Sequence, residues 1–141
     1  MADASRQTAP PAETASGPMA TWQAQLRDGR FAIQRCTACA HAIFPPRRLC
    51  PRCGELRLAW FEPGGLGTVH AVTVVARGAE QGGPYNVVLV DLDEGPRLMS
   101  RVDGLEAEAV RIGLRVQAQV AGTPAGPVLV FRPLPPAPPG A

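Results

Sequence analysis

The sequence predicts a mainly β protein, in which a short helix and a small cysteine-containing module precede a five-stranded barrel of the OB type. Three observations support this prediction. Two CxxC pairs stand ten residues apart in the first half of the chain. Five short Val-rich runs, separated by Gly and Pro, follow them. Only seven of the 141 residues are aromatic, so the core must be built from small aliphatic residues, which suits thin, strand-rich packing.

The two ends of the chain are predicted to be disordered tails. Residues 1–18 contain no aromatic or large aliphatic residue except the first Met, so they cannot bury enough surface to offset chain entropy. Residues 134–141 are rich in Pro and cannot supply a continuous set of backbone hydrogen bonds. The predicted folded segments are therefore 19–60, with the helix and the cysteine module, and 61–133, with the barrel.

A short amphipathic helix is predicted from Met19 to Asp28. Met19, Trp22 and Leu26 share one helical face, and Gly29 suits the left-handed residue that often ends a helix. A helix of this length is not stable alone. Its Trp22 face is therefore expected to pack on the cysteine module or on another protein.

The segment after the cysteine module predicts five strands. They are Thr68–Ala76, Tyr85–Leu92, Arg97–Val102, Leu114–Ala121 and Val128–Arg132. In the fourth, apolar residues alternate with Arg115, Gln117 and Gln119, the pattern of a strand with one solvent-exposed face. The second contains the run NVVLVDL, which is apolar on both faces and favours a barrel strand with another element packed outside it.

The four cysteines predict a metal site. Cys36 and Cys39 form the motif CTAC, and Cys50 and Cys53 form CPRC. Each motif makes a turn that brings two sulfurs to one side, so two motifs supply a tetrahedron. Structural zinc prefers four thiolates at about 2.3 Å, and the complete set leaves no open position for substrate, which argues against metal catalysis. Iron fits the same spacing, and two redox-active CxxC motifs or two disulfides remain the other alternative.

An excess of arginine surrounds the cysteines. All 14 basic residues of the chain are Arg, and seven of them stand between positions 27 and 57 beside only two acidic residues. Part of this excess balances the negative charge that four thiolates leave on a zinc ion. The other interpretation is an anionic ligand or partner, because Arg47 and Arg48 follow the rigid pair Pro45 and Pro46 and can bind phosphates through their guanidinium groups.

The remaining polar residues form no catalytic group. His41 follows the first cysteine pair, whose shell is already complete, and is interpreted as a residue at or near the surface. His70 lies in a predicted strand without the spacing of a catalytic triad and is interpreted as a barrel histidine. Asp91, Asp93 and Glu94 stand at a strand end, where they suit a turn, and a Mg²⁺ site there is the lesser alternative. The sequence therefore indicates a protein without catalytic activity of its own.

Charge and hydropathy narrow the remaining functions. No stretch approaches the roughly 20 apolar residues of a membrane helix, and the first residues lack the pattern of a signal peptide, so a cytoplasmic location is expected. In that reducing compartment paired cysteines favour a metal.

The barrel segment lacks the composition of a nucleic-acid-binding surface. From Leu58 onward the sequence contains six Arg and eight acidic residues, and only Tyr85 and Phe131 lie in predicted strands as aromatic residues that could stack on bases. Single-stranded nucleic-acid binding is therefore the alternative function and not the main one.

The order of these motifs resembles one known family, the acyl-CoA-associated proteins with an N-terminal rubredoxin-like zinc ribbon and a C-terminal OB-fold, long classed as a domain of unknown function. The resemblance covers residues 22–133. It rests on the segments LRDGRF, QRCTACAHAIFPPRRLCPRCGE, EPGGLGTVHAVTVV, PYNVVLVDLDEGPRLMSRV and IGLRVQAQV. The cysteine pattern alone is common to many families, whereas this order of motifs is much more specific.

The resemblance implies both a cofactor and a role. The four cysteines match the positions that bind structural zinc in the family. It further implies a non-catalytic accessory subunit of a hetero-oligomer, whose partner is a thiolase-fold enzyme, an acyl-CoA hydratase or a retro-aldolase, and which helps to hold acyl-CoA. The arginines at 47 and 48 are compatible with the phosphates of that CoA.

Overall fold

The computed structural model describes residues 17–135, which form two compact units. The first unit ends at Glu62 and the second begins at Pro63. Most of the two predicted tails, residues 1–16 and 136–141, lies outside the described residues. Within the described part of the chain, no helix has the length and apolar character needed to cross a membrane.

The first unit begins with helix α1, Pro18–Arg27, which starts and ends one residue before the predicted bounds. A proline suits the first helical turn because its missing N–H has no partner to lose there. Gly29, two residues after the last helical residue, has a φ of 79°. The N–H of Gly29 donates to the carbonyl of Leu26 at 2.9 Å, and that of Arg30 donates to Gln25 at 2.8 Å. The predicted left-handed end of the helix is therefore confirmed.

Helix α1 packs on the cysteine module of its own unit. The rings of Trp22 and Phe44 meet edge to face, with their centroids 5.3 Å apart and an angle of 61°. Leu26 on the same helical face is only 3% exposed. Of the two expected partners of the Trp22 face, the structure shows the first.

Three short antiparallel strands complete the first unit. They are β1 (Ile33–Cys36), β2 (Ala42–Ile43) and β3 (Leu58–Phe61), in the order β2-β1-β3. Sequence analysis did not predict them, because the cysteine turns interrupt them before any alternation becomes visible. Few aliphatic side chains pack with the cysteines, namely Ile43 and Leu58. The core of this unit is therefore small.

The second unit is a curled five-stranded antiparallel sheet. Its strands are β4 (Leu66–Val75), β5 (Tyr85–Leu92), β6 (Arg97–Ser100), β7 (Arg115–Thr123) and β8 (Gly126–Pro133), in the order β6-β5-β4-β7-β8. All five predicted strands are present, with bounds that differ by at most two residues. Two 3-10 turns, Ala79–Gln81 and Ala107–Ala109, lie between strands.

The sheet closes on itself through a short parallel bridge between Val102 and Phe131. The N–H of Asp103 donates to the carbonyl of Phe131 at 2.8 Å, and the N–H of Phe131 donates to Arg101 at 3.0 Å. Strand β6 itself ends before the predicted Val102, but the chain runs on to this bridge. The result is an OB-type half-barrel, as the sequence predicted.

The barrel core comes from alternate residues of each strand. In β7, Val116 is fully buried while Arg115 and Gln119 are exposed, as predicted, but Gln117, Ala118 and Val120 are all half-buried, so the predicted alternation is confirmed only in part. In β5, Val88 and Val90 are fully buried, but the residues that alternate with them are only half-buried. The expectation that this strand is covered on both faces is therefore corrected, because the described residues leave its outer face partly open to solvent.

Gly67 of β4 is required by the closeness of β5. A Cβ at this position would lie 2.7 Å from Cγ1 of Val90 and 2.8 Å from the carbonyl oxygen of Asp91. No side chain fits at such distances unless the two strands separate. Gly67 is therefore a position at which the pairing of β4 with β5 excludes any larger residue.

A buried asparagine supports the closure of the barrel. Asn86 is 5% exposed, and its side-chain amide donates to the carbonyl of Val102 at 2.9 Å. The N–H of Val102 donates back to Oδ1 of Asn86 at 2.8 Å. This pair of hydrogen bonds holds the chain after β6 against β5, next to the bridge with Phe131.

Replacing Asn86 by Ala is expected to lower the free energy of unfolding of the barrel by about 2–3 kcal/mol. Both main-chain polar groups of Val102 then lose their buried partner, and each such loss costs about 1–3 kcal/mol. Hydrogen exchange of barrel amides in the full chain measures this. Gln119→Ala, which removes an exposed amide from the same barrel, is the control, and an equal effect of the two variants would contradict the assigned role.

Candidate metal centre

The structure brings the four cysteine sulfurs into one cluster. All four Sγ atoms lie within 4.8 Å of one another. The shorter distances cross between the motifs, with 3.5 Å from Cys36 to Cys53 and 3.7 Å from Cys39 to Cys50. Four thiolates at about 2.3 Å from one zinc ion stand about 3.8 Å apart, so both the spacing and the donor set fit a tetrahedral ion. The arrangement is that of one shared site and not of two separate CxxC sites.

The two turns that carry the cysteines are built alike. The backbone N–H groups of Ala38 and Arg52 each donate to the first sulfur of their motif at 3.3 Å. Each turn is followed by a residue with positive φ, Ala40 at 67° and Gly54 at 84°. Glycine adopts this conformation freely, whereas alanine does so at a steric cost. Amide donors of this kind spread the negative charge of metal-bound sulfur.

Neighbouring groups lower the pKa of the Cys36 thiol and raise that of the Cys53 thiol. Burial raises the pKa of the Cys36 thiol, but hydrogen bonds from the amides of Cys39 and Ala38 outweigh it and lower the pKa to about 7. At Cys53 a backbone hydrogen bond from Glu55 lowers the pKa, yet the neighbouring sulfurs and burial outweigh that and raise it to about 12. Four adjacent thiolates repel one another, so a cation is needed before all four lose their protons.

The arginines of the ribbon unit, residues 17–62, divide into paired and unpaired groups. Arg57 donates to Glu55 at 2.8 Å, Arg30 lies 3.8 Å from Glu62, and the guanidinium of Arg35 lies 4.1 Å from the centroid of the Phe61 ring. The other guanidinium groups of this unit have no ion-pair or hydrogen-bond partner within residues 17–135, and they belong to Arg27, Arg47, Arg48 and Arg52. Arg47 and Arg48, the predicted phosphate ligands, are thus exposed, and their guanidinium groups are unpaired among the residues that the structure describes.

A buried glutamine that sequence analysis missed fixes the backbone beside these two arginines. Gln34 is 4% exposed, its amide donates to the carbonyl of Arg47 at 2.9 Å, and the N–H of Arg47 donates to Oε1 of Gln34 at 2.7 Å. The one signal in the sequence is a lone amide directly after the apolar run FAI, residues 31–33, which leads into β1. The backbone at Arg47 is therefore held in place while its side chain stays exposed.

In the barrel unit, by contrast, three arginines form ion pairs with aspartates, and these are Arg97, Arg101 and Arg115. Arg97 pairs with Asp91 at 2.6 Å and Arg115 with Asp93 at 2.8 Å, and these contacts lower the pKa values of both carboxyl groups. Glu94 accepts a hydrogen bond from the N–H of Gly64. The carboxylates of Asp91, Asp93 and Glu94 therefore already contact arginine side chains or a backbone N–H. These contacts disfavour the lesser alternative of a Mg²⁺ site.

Neither histidine joins the cysteine cluster. The backbone carbonyl of His41 accepts a hydrogen bond from the N–H of Cys36 at 3.0 Å, and the residue is half-buried. His70 is exposed on β4, and its Nδ1 lies 3.6 Å from Oδ2 of Asp91. His70 is thus a histidine of a barrel strand, as interpreted from the sequence, and its side chain lies on the exposed surface next to the bulge between Val69 and Ala71.

The two aromatic residues suggested for nucleic-acid stacking differ in access. Phe131 is fully buried in the barrel and cannot stack on a base. Tyr85 is 37% exposed, but the guanidinium of Arg77 covers its ring at 4.7 Å. Base stacking needs several accessible rings along a basic groove. The structure therefore gives the nucleic-acid alternative no support.

Two family models match consecutive parts of the chain. The model described as "ChsH2, rubredoxin-like zinc ribbon domain" matches residues 23–59. The model described as "ChsH2, C-terminal OB-fold domain" matches residues 60–121. The two matches correspond to the two units described above, in the same order.

Curated relatives carry names from two functional classes. A "probable enoyl-CoA hydratase alpha subunit" from Thermomonospora curvata is 34% identical over 99 residues, which are 69% of this chain and 31% of that protein. A "DUF35 domain-containing scaffold protein" from Pyrococcus furiosus is 35% identical over 80 residues, which are 55% of this chain and 59% of that protein. This chain thus spans about a third of the first relative and about three fifths of the second.

Two solved structures share the architecture. The chain from an "Ltp2-ChsH2(DUF35) aldolase" is 33% identical, with a TM-score of 0.72, over 81% of this chain and 92% of that one. A protein of unknown function from the DUF35 family of Sulfolobus solfataricus is 15% identical, with a TM-score of 0.58, over 92% of this chain and 90% of that one. The second likeness shows the fold alone.

Proposed function

This chain belongs to the ChsH2 (DUF35) family, whose members join a rubredoxin-like zinc ribbon to an OB-fold domain, and from this premise we propose that it is a non-catalytic accessory subunit of an acyl-CoA-processing enzyme. The observation that carries the proposal is the match over 92% of a chain from an aldolase complex. Each of the two described units matches a family model. What this chain shares with the aldolase chain is therefore a pair of small modules.

The chemistry of the described side chains supports a role without catalysis. Among residues 17–135, the cysteines form the one cluster of three or more potential metal ligands, and four thiolates leave no coordination position for substrate. The contact between His70 and Asp91 lacks a Ser or Cys nucleophile within the described hydrogen bonds. The described residues thus offer surfaces for binding and show no reactive centre among them.

We propose that the four cysteines bind zinc and that its role is structural. The matched family domain is a zinc ribbon, which favours zinc over iron. A bound ion of this kind supplies folding free energy and no reaction step. The small apolar core of the ribbon unit supports this role, because burial of its few aliphatic residues contributes little stability.

The partner proposed for this subunit is an enzyme that acts on acyl-CoA thioesters. The names of the relatives favour a hydratase or an aldolase. A thiolase-fold enzyme is the other class, which rests on the family resemblance of the motifs. Purification of the tagged chain from its native host, followed by identification of the bound enzyme, tests the proposal. A chain that stays alone, or that turns over acyl-CoA by itself, would overturn it.

We also propose that Arg47 and Arg48 bind phosphate groups of CoA at the surface of the ribbon unit. Their guanidinium groups are exposed and have no ion-pair partner among residues 17–135, while Glu55 and Glu62 of the same unit are already paired with Arg57 and Arg30. Gln34 supports this role because it fixes the backbone of Arg47 by two hydrogen bonds. Arginine suits phosphate because its planar fork donates two parallel hydrogen bonds.

Replacing Arg47 and Arg48 together by Ala is expected to weaken acyl-CoA binding by the purified complex about 100-fold or more, since two charged hydrogen bonds are lost and each is worth about 1.5 kcal/mol or more. Calorimetric titration with acyl-CoA measures the change. Arg57→Ala is the matched control, because this guanidinium is already bound to Glu55. Unchanged affinity of the double variant, or an equal loss in the control, would contradict the assignment.

A further inference from the structure

Half of strand β4 presents a free edge in the described part of the chain. Its pairing with β7 covers only Leu66–Thr68, whereas its pairing with β5 continues to Val75. The pairing with β7 ends where β7 begins, at Arg115, and Val69 makes the last backbone hydrogen bonds on this side, to Leu114 and Gly113. From residue 71 to residue 75, the edge opposite β5 therefore has no strand partner within residues 17–135.

This edge lacks the features that protect the others. Open strand edges usually carry charges, Pro or Gly, which prevent pairing with another chain. The outer edge of β6 carries Arg97, the start of β8 contains Pro127, and the end of β7 contains Gly122. The β4 edge has the sequence AVTVV, with four β-branched residues in a row, all valine or threonine, and no charge. It is therefore the edge of the barrel best suited to accept another strand.

The side chains along this edge are accessible and complementary to themselves. Thr73 is exposed and Val74 is 38% exposed. In an antiparallel pair of two such edges centred on Thr73, Val72 lies opposite Val74, and Ala71 lies opposite Val75. No charged residue then faces a like charge, and β-branched cross-strand pairs stabilise the ladder. A two-fold axis through Thr73 satisfies the free backbone groups of both chains at once.

We propose that two copies of this chain pair through the β4 edge, so that their barrel sheets join into one continuous sheet. The inference concerns the barrel unit and is independent of the accessory role proposed above. The charge-free edge argues for a partner strand that is itself uncharged and β-branched, and the same segment of a second copy meets both conditions.

Sedimentation equilibrium of the full chain tests the pairing. We expect a reversible dimer, and Thr73→Lys is expected to raise its dissociation constant at least about tenfold, because two like charges then face each other across the two-fold axis. An equimolar mixture of Thr73→Lys and Thr73→Glu is expected to restore dimer formation, since opposite charges meet at the same point. Gln119→Lys, at an exposed position of β7, is the control and is expected to leave the dimer unchanged.

Three results would overturn the proposal. The full chain is monomeric at every concentration, or its dimer resists Thr73→Lys. Deletion of residues 2–16 alone creates a dimer sensitive to Thr73→Lys, which would mean that the N-terminal segment occupies the edge. Thr73→Lys abolishes capture of the partner enzyme while the oligomeric state of the isolated chain stays the same, which would assign the edge to that enzyme.

Discussion

Replacing Cys50 by Ser is expected to abolish metal binding and to unfold the ribbon unit while the barrel stays folded. Cys50 is 1% exposed and supplies one of the four clustered sulfurs. Structural zinc contributes on the order of 10–16 kcal/mol to the folding of small zinc domains, more than the few buried aliphatic residues of this unit can replace. Elemental analysis gives the metal content, and hydrogen exchange shows which unit has lost protection.

Arg52→Ala is the control for this variant. Arg52 lies inside the same turn, but only its backbone N–H contacts the sulfur of Cys50, so removal of the side chain leaves the donor in place. We expect full metal content and an intact ribbon in this control. Full metal content in Cys50→Ser would contradict the four-thiolate site, and iron in the purified wild-type chain would correct the identity of the ion.

Replacing Phe131 by Ala is expected to lower the free energy of unfolding of the barrel by about 3–5 kcal/mol, the usual cost of truncating a buried aromatic residue. Phe131 is fully buried, and its backbone forms both hydrogen bonds of the bridge that closes the sheet. The cavity that the alanine leaves therefore lies beside the hydrogen bonds that close the sheet. Hydrogen exchange of barrel amides, compared with that of ribbon amides, measures the local loss.

Phe131→Leu distinguishes packing from general damage at this position. Leucine keeps much of the buried volume, so its cost is expected to be well below that of alanine, about 1–2 kcal/mol. The metal content is expected to be unchanged in both variants, since the cysteines belong to the other unit. Equal destabilisation by leucine and alanine would contradict the cavity argument, and no destabilisation by alanine would contradict the assigned core.

The parts of the fold that were predictable from sequence are those with a local signal. The barrel strands show alternation or Val-rich runs, and helix α1 shows an apolar face followed by Gly29. The ribbon strands were missed because each is only two to four residues long, too short for a period to appear. The four cysteines were identified together because ligand spacing is itself a local pattern.

Contacts between distant positions were not predictable in the same way. Arg115 and Asp93 are 22 residues apart and meet only when the barrel curls, so the sequence could not show that this acidic turn is neutralised. Gln34 and Arg47 are separated by 13 residues and by the first cysteine turn. His70 lies on the exposed surface next to a bulge that the alternation of β4 did not reveal.

The hydrogen bonds from the Ala38 and Arg52 turns to the cysteine sulfurs come from the backbone and not from side chains. Because Ala38 and Arg52 contact the sulfurs through main-chain N–H groups, their exposed side chains take no part in holding the ion. The tips of the ribbon can therefore change in charge, size or polarity without altering affinity for the metal. Substitutions at these two positions are therefore a way to vary the surface of the ribbon unit while the metal site stays the same.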